Sequence, residues 1–287
     1  MGTFWDWLTK RRHIVEANFV DSKLLPIGVL LAMRIVFFLY CAGIFIWRNI
    51  VNWNNGRYYT YFTNISYLIL TLYFGAVSLK GIIVLTKSHR KRKLINDHPA
   101  DLTPRPADLQ SPASGVGNYV LLVLFSVALQ NALFLDFVAW IVLPRYASWM
   151  GAVTYSSVQV HGVNTIQMIL EVFLSLMPVM PLFVIYPLVF TLLYMFFTWI
   201  YHAVSSIWVY PFVAWGANYD WLIYLGVVGL FFFSWFIWCL FGWIRDRIPD
   251  YRALTQATTT PHSRSNETQT QPTQRGGLNL SEITAQQ

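Results

Sequence analysis

Long apolar runs separated by short polar stretches dominate the chain. The first, "IGVLLAMRIVFFLYCAGIFIW", starts at Ile27 and contains one charge, Arg34. A helix needs about 20 mostly apolar residues to cross a bilayer core. Six windows meet that requirement, near residues 27–47, 61–84, 118–142, 159–179, 182–204 and 221–244. None alternates with period two, and each is too long for a strand, so the pattern predicts helices and not a closed barrel. The fourth and fifth windows are joined by "MPVMP", where Pro178 and Pro181 predict a stop and a tight turn into the next helix. The expected fold class is all-α: an integral membrane bundle of six transmembrane helices over 27–245, with an N-terminal arm at 1–26 and a polar tail at 246–287.

Composition agrees with this pattern. Of 287 residues, 56% are hydrophobic and 11% charged, where a soluble domain carries about a quarter charged residues. Charge placement then gives an orientation. Lys10, Arg11, Arg12 and Lys23 precede the first span. Lys80, Lys87, Arg90, Lys91, Arg92, Lys93 and Arg105 follow the second, and Arg245, Arg247, Arg252, Arg264 and Arg275 follow the sixth. The other face has only Arg48, Arg57 and Arg145. The positive-inside rule makes the first set, and both termini, cytoplasmic.

The cluster "KSHRKRK" fits a juxtamembrane patch that attracts anionic lipid better than a nucleic-acid site, and no nucleic-acid partner is expected. The N-terminal stretch lacks the apolar core and cleavage site of a signal peptide, and Asp6 breaks the myristoylation pattern. The tail is polar and nearly free of aromatics, so it is expected to be disordered. Cys41 and Cys239 read as small core hydrophobes. The endoplasmic reticulum and the plasma membrane both fit as locations, and protein partners are left open.

Two windows carry polar seams. In "VHGVNTIQMILE", His161, Asn164, Met168 and Glu171 fall on one helical stripe, continued by Ser175 and flanked by Gln167. In the second window Thr60, Thr63, Asn64, Tyr67 and Thr71 form another. Intramembrane polar groups face the bundle interior, so the two seams are expected to meet or share a cavity. Thr63, His161 and Asp136 share a depth near the non-cytoplasmic boundary. Arg34 and Glu171 share a depth of about 10 Å from the cytoplasmic boundary, at 1.5 Å per residue, and are expected to form an ion pair. No His-x-x-x-His or Cys-x-x-Cys spacing occurs, so no metal site is expected.

Three blocks together carry a resemblance: "YYTYFTNISYLILTLYFG" from Tyr58, "VHGVNTIQMILE" from Val160, and "YHAVSSIWVYPF" from Tyr201. With their order and spacing, the chain resembles the membrane proteins that include the androgen-induced hydrolases, the androgen-dependent regulator of tissue factor pathway inhibitor and the rolling stone proteins. The likeness covers about residues 25–245. The androgen-induced branch implies an intramembrane hydrolase that cleaves esters joining a fatty acid to a hydroxylated fatty acid, without a cofactor. Its threonine nucleophile falls on Thr63. Its catalytic histidine is the second in His-Gly-x-His, and here that position is Asn164.

Asn cannot accept the threonine proton, but it can donate a hydrogen bond to an oxyanion. His161, one turn away, is then the base that the chain offers. "HGVNT" looks more like the rolling stone branch, which is associated with myoblast fusion. Two readings stand at this point. One is a lipid-ester hydrolase using Thr63, His161 and Asn164. The other is a non-enzymatic membrane protein acting through partners or membrane organisation.

Overall fold

A computed structural model describes residues 19–52, 57–97, 116–146, 154–214 and 220–250. Residues 1–18, which make up most of the expected arm, and the expected tail from 251 on lie outside the described residues. Every regular element described is helical, and no strand occurs among the described residues. The elements are α1 (Ile27–Asn52), α2 (Phe62–Asp97), α3 (Val116–Phe137), α4 (Tyr155–Val160), α5 (Gly162–Leu174), α6 (Ile185–Ser205) and α7 (Asp220–Asp246). Short 3-10 turns at Arg57–Thr60, Pro181–Val184 and Pro211–Val213 sit at the ends of the bundle elements.

Five helical stretches are long and apolar enough to cross a membrane: Ile27–Asn52, Phe62–Arg90, Val116–Val142, Pro181–Ser205 and Trp221–Asp246. The third is the hub. It is 72% buried, against 17–39% for the others, and α3 packs against α2, α5, α6 and α7. The other four turn apolar side chains outward, among them Leu39, Ile50, Leu79, Leu193, Phe196, Val228 and Phe236. Such a belt is a liability in water and a requirement in lipid.

The fourth window differs from its expected form. A single helix over 159–179 was predicted, but two short helices meet at His161, whose φ and ψ are −119° and −80°. The second of them, α5, has 13 residues and ends at Leu174. Gly162 permits the close packing at the break: a Cβ there would sit 3.3 Å from the Trp140 ring. Trp140 itself lies in a π-turn, Val138–Val142, that continues α3. One extra residue in a helical turn re-aims its side chains, and such turns recur at functional sites.

The predicted tight turn at "MPVMP" is also absent. Residues 176–180 form no regular element and run beside α7, with Val179 packed on Gly242 and the Pro181 carbonyl accepting from Trp235 Nε1 at 3.2 Å. Non-helical backbone at membrane depth must be satisfied by protein. Arg245 supplies this: its Nη1 donates to the carbonyls of Met177 at 2.5 Å, and of Val172 and Ser175 at 3.3 Å. Read from sequence as a topology-setting surface charge, Arg245 is 4% exposed and closes the C-terminus of α5.

These bonds fix the layout. At one end, Leu176 N donates to Asp21 O, and Lys23 Nζ donates to the carbonyls of Asp246 and Ile248. Both limits of the described chain therefore meet at this end. Ile166 and Leu170 on α5 remain exposed, so the fourth segment also contributes to the outer apolar surface.

The two ends hold different polar chemistry. Near the first, Arg34 and Glu171 are in contact and buried: Nη2 to Oε1 is 2.5 Å, and Nε lies 3.1 and 3.2 Å from the two carboxylate oxygens. Tyr73 donates to Oε1 at 2.7 Å, and Arg34 Nη1 donates to Phe19 O at 2.9 Å. Every charged atom of the pair is matched.

Candidate functional site

The opposite end contains a cavity of about 590 Å³, within the size range of small-molecule sites. Five parts of the chain build it, among them Leu143, just past the π-turn that continues α3. The end of α1 brings Arg48 and Asn52. The 3-10 turn and start of α2 bring Arg57, Tyr58, Tyr61, Thr63 and Asn64. The region from Thr154 to His161 forms one wall, and Val209, Tyr210 and Pro211 close another.

Each wall is held by identifiable bonds. Thr154 caps α4 through a reciprocal pair with Ser157: each side-chain oxygen accepts from the other residue's backbone N–H, at 3.1 and 2.8 Å. The α2 start is held from the far loop. Tyr210 accepts from Phe62 N–H at 3.0 Å, and Tyr194 donates to Thr60 O at 2.8 Å. The Tyr210 hydroxyl also shares hydrogen bonds with the Thr63 and Tyr194 side chains. Burial pushes the Tyr210 phenol above its ordinary value, although the Thr63 and Phe62 bonds pull the other way. It is therefore a neutral phenol at physiological pH.

Thr63 and His161, from different helices, both line this cavity. Among the described residues no hydrogen bond joins them, and the neighbour of the Thr63 hydroxyl is Tyr210. His161 is 9% exposed. Its Nδ1 lies 3.7 Å from Asp136 Oδ1, and Thr165 donates to Asp136 Oδ2 at 2.7 Å. The Trp140 ring lies beside the imidazole, with centroids 6.4 Å apart. The π-turn and the helix break thus face each other across the His161 ring.

Asn164 is placed differently. It is not a lining residue of the cavity. Its Nδ2 donates to the Val160 carbonyl of the preceding turn at 2.5 Å, so one of its two N–H groups is directed at the chain's own backbone, while its Oδ1 is buried and makes no hydrogen bond among the described residues.

Sequence reasoning did not assign a site role to Arg48, Tyr210 or Asp136. Asp136 had a signal, since an acid inside a span is expensive and matched the depth of His161. Tyr210 had none, because its position depends on how a loop folds back over α2. Arg48 Nη2 donates to Asn64 Oδ1 at 3.2 Å, and Asn64 in turn donates to Tyr58 O at 2.6 Å. Its guanidinium lies 6.0 Å from the centre of the Tyr58 ring.

No family model, curated protein or solved structure matches the chain.

Proposed function

We propose that the chain crosses the membrane six times, with α4 and α5 together as the fourth crossing, and that both of its ends are cytoplasmic. We further propose that the cavity at the non-cytoplasmic end cleaves an ester of a membrane lipid, as the resemblance to the androgen-induced hydrolases suggests. The observation that carries this reading is that Thr63 and His161 line one cavity, with an acid behind the histidine.

In this reading Thr63 Oγ1 attacks the ester carbonyl and its proton passes to His161 Nε2. Asp136, beside Nδ1, steadies the imidazolium that forms. The tetrahedral oxyanion takes hydrogen bonds from Tyr210 or Arg48, which face the same space. Collapse breaks the ester bond, and the leaving alcohol recovers the proton from His161. Water, deprotonated by the same histidine, then attacks the acyl-Thr63, and the histidine returns that proton to Thr63 Oγ1 as the acid leaves. The resting bond between Thr63 and Tyr210 must give way first, which a χ1 rotation of Thr63 accomplishes; catalytic bonds often tighten only with substrate in place.

A second reading has its own support. One Asn164 N–H is held by the backbone, and Thr63 is partnered by Tyr210. Both suit a polar seam that only holds helices together, in a non-enzymatic membrane protein. Fluorophosphonate labelling of detergent-purified protein separates the two. The hydrolase reading expects labelling of the parent that is lost in Thr63→Ala and His161→Ala. Absence of labelling, with all three proteins monodisperse and equally heat-stable, establishes the second reading instead.

A further inference from the structure

Of the two arginines of α1, only Arg34 meets an opposite charge among the described residues, in its pair with Glu171. Arg48 lines the cavity, and its described neighbours are neutral. Its Nη2 donates to Asn64 Oδ1 at 3.2 Å, and the Tyr58 side chain lies alongside. Its Nε and Nη1 are buried without a hydrogen bond of ordinary geometry among the described residues. Arg57 stands exposed on the same lining, with the neutral Tyr201 as a partner.

A guanidinium keeps its proton, and a buried charge is tolerated when an opposite charge meets it. No Asp or Glu lines the cavity among the described residues, and the neighbouring segments 53–56 and 147–153 contain none in sequence. Asp136 is turned to Thr165 and His161. Arg48 and Arg57 thus bring positive charge to one chamber without a counter-charge among the described residues. The chamber, about 590 Å³, is larger than a bare ion needs. It is also graded: Tyr58, Asn64 and His161 are buried, while Asn52, Arg57 and Tyr61 are exposed.

We propose that this cavity binds a phosphate monoester, a group close to a dianion at neutral pH, whose charge matches the two guanidinium groups. Arg57 meets it at the exposed side. Arg48 swings its unbonded N–H groups toward it from the buried side. Tetrahedral phosphate oxygens accept from both guanidinium groups at once, and a carboxylate balances only one of the two charges. The phosphate comes either from a lipid head group or from a free small molecule. The inference does not rest on ester cleavage: a site that only holds phosphate meets it equally.

The test is isothermal titration calorimetry of the full chain in detergent at constant ionic strength. Glycerol 3-phosphate and dioctanoyl phosphatidic acid are the probes, and sodium acetate and dioctanoylglycerol the controls. Saturable heat is expected from the phosphates and not from the controls. Tighter binding of phosphatidic acid assigns a lipid head group as the source, and equal or weaker binding assigns a free phosphate ester. Arg48→Gln raises the half-saturating concentration about tenfold, the loss expected for one charge-assisted contact. Arg57→Gln, at an exposed position, raises it about threefold, and keeps the test decisive where Arg48→Gln does not fold. Lys87→Gln, at the opposite end of the bundle, leaves it unchanged. Three results overturn the proposal: no saturable heat from either phosphate, equal binding of a control, or unchanged binding in both arginine variants. Asp220 opens α7, so Asp220→Asn checks the charge balance. It leaves the half-saturating concentration unchanged; a tenfold tightening means that the chain's own acid already neutralises the site, and the proposal fails.

Discussion

Removing Glu171 alone leaves the Arg34 guanidinium with the Phe19 carbonyl and the Tyr73 hydroxyl but no opposite charge among the described residues, in a place where Arg34 is 1% exposed. Breaking one half of a buried pair costs about 3–5 kcal/mol. On the scaling for domains of 150–250 residues, that lowers the melting temperature by about 6–20 °C. Glu171→Leu and Arg34→Met should each show a fall of this size, read by intrinsic tryptophan fluorescence in detergent. The double variant removes both charges, and the paired loss alone is neutral or gains about 1–4 kcal/mol. It also orphans two groups the pair had satisfied, the Tyr73 hydroxyl and the Phe19 carbonyl, at about 1–3 kcal/mol each. At mid-range values the double lies about 2 kcal/mol below the parent, between the singles and the parent. Adding Tyr73→Phe should recover about 1–3 kcal/mol, because it removes one orphan. The pair is a coupled unit only if the double is more stable than the two single effects summed. Strict additivity would refute this account of the pair.

Arg245→Leu strips a donor from three carbonyls where α5 ends, and should cost about 2–5 kcal/mol, visible as a lower melting temperature and faster proteolysis near residues 175–181. Gly242→Ala places a Cβ 2.9 Å from Val179 Cβ and 3.5 Å from its carbonyl oxygen; overpacking of about 1–3 kcal/mol is expected, again by thermal scan. Six crossings require residues 57 and 87 on opposite sides. Because Cys41 and Cys239 are buried, Arg57→Cys and Lys87→Cys can be labelled in sealed vesicles with an impermeant maleimide, and labelling of both from the same side would sink the topology.

The long apolar runs made the five helices long and apolar enough to cross a membrane legible, because length and hydropathy are local properties. The fourth segment was legible as buried and polar-seamed but not as broken. His161, Asn164 and Glu171 do carry a buried face, yet the break at His161 packs against Trp140, which comes from another part of the chain. The extended run after Leu174 depends on Arg245, some seventy positions away in sequence. Depth counting along two helices put Arg34 opposite Glu171, and the two side chains are in contact. It also put Thr63 and His161 at one level, and they line one cavity. Depth says nothing of rotation about a helix, and so it could not show that Asn164 turns to its own backbone or that Tyr210 stands next to Thr63. Arg48 and Arg245 were read by charge alone. What distinguishes them is which carbonyls, amides and carboxylates the fold brings within reach.

The reliance of α5 on Arg245 has a consequence for biogenesis. Ribosomes deliver the chain from its N-terminus, so the carbonyls of Val172, Ser175 and Met177 enter the membrane before their donor has been translated. Until α7 is inserted, that stretch lacks the donor that Arg245 supplies, and the nascent bundle carries an unfinished seam. A message truncated before codon 245 should yield a product that quality control removes, even though five-sixths of the chain has been made. The last described helix is thus the one that certifies α5.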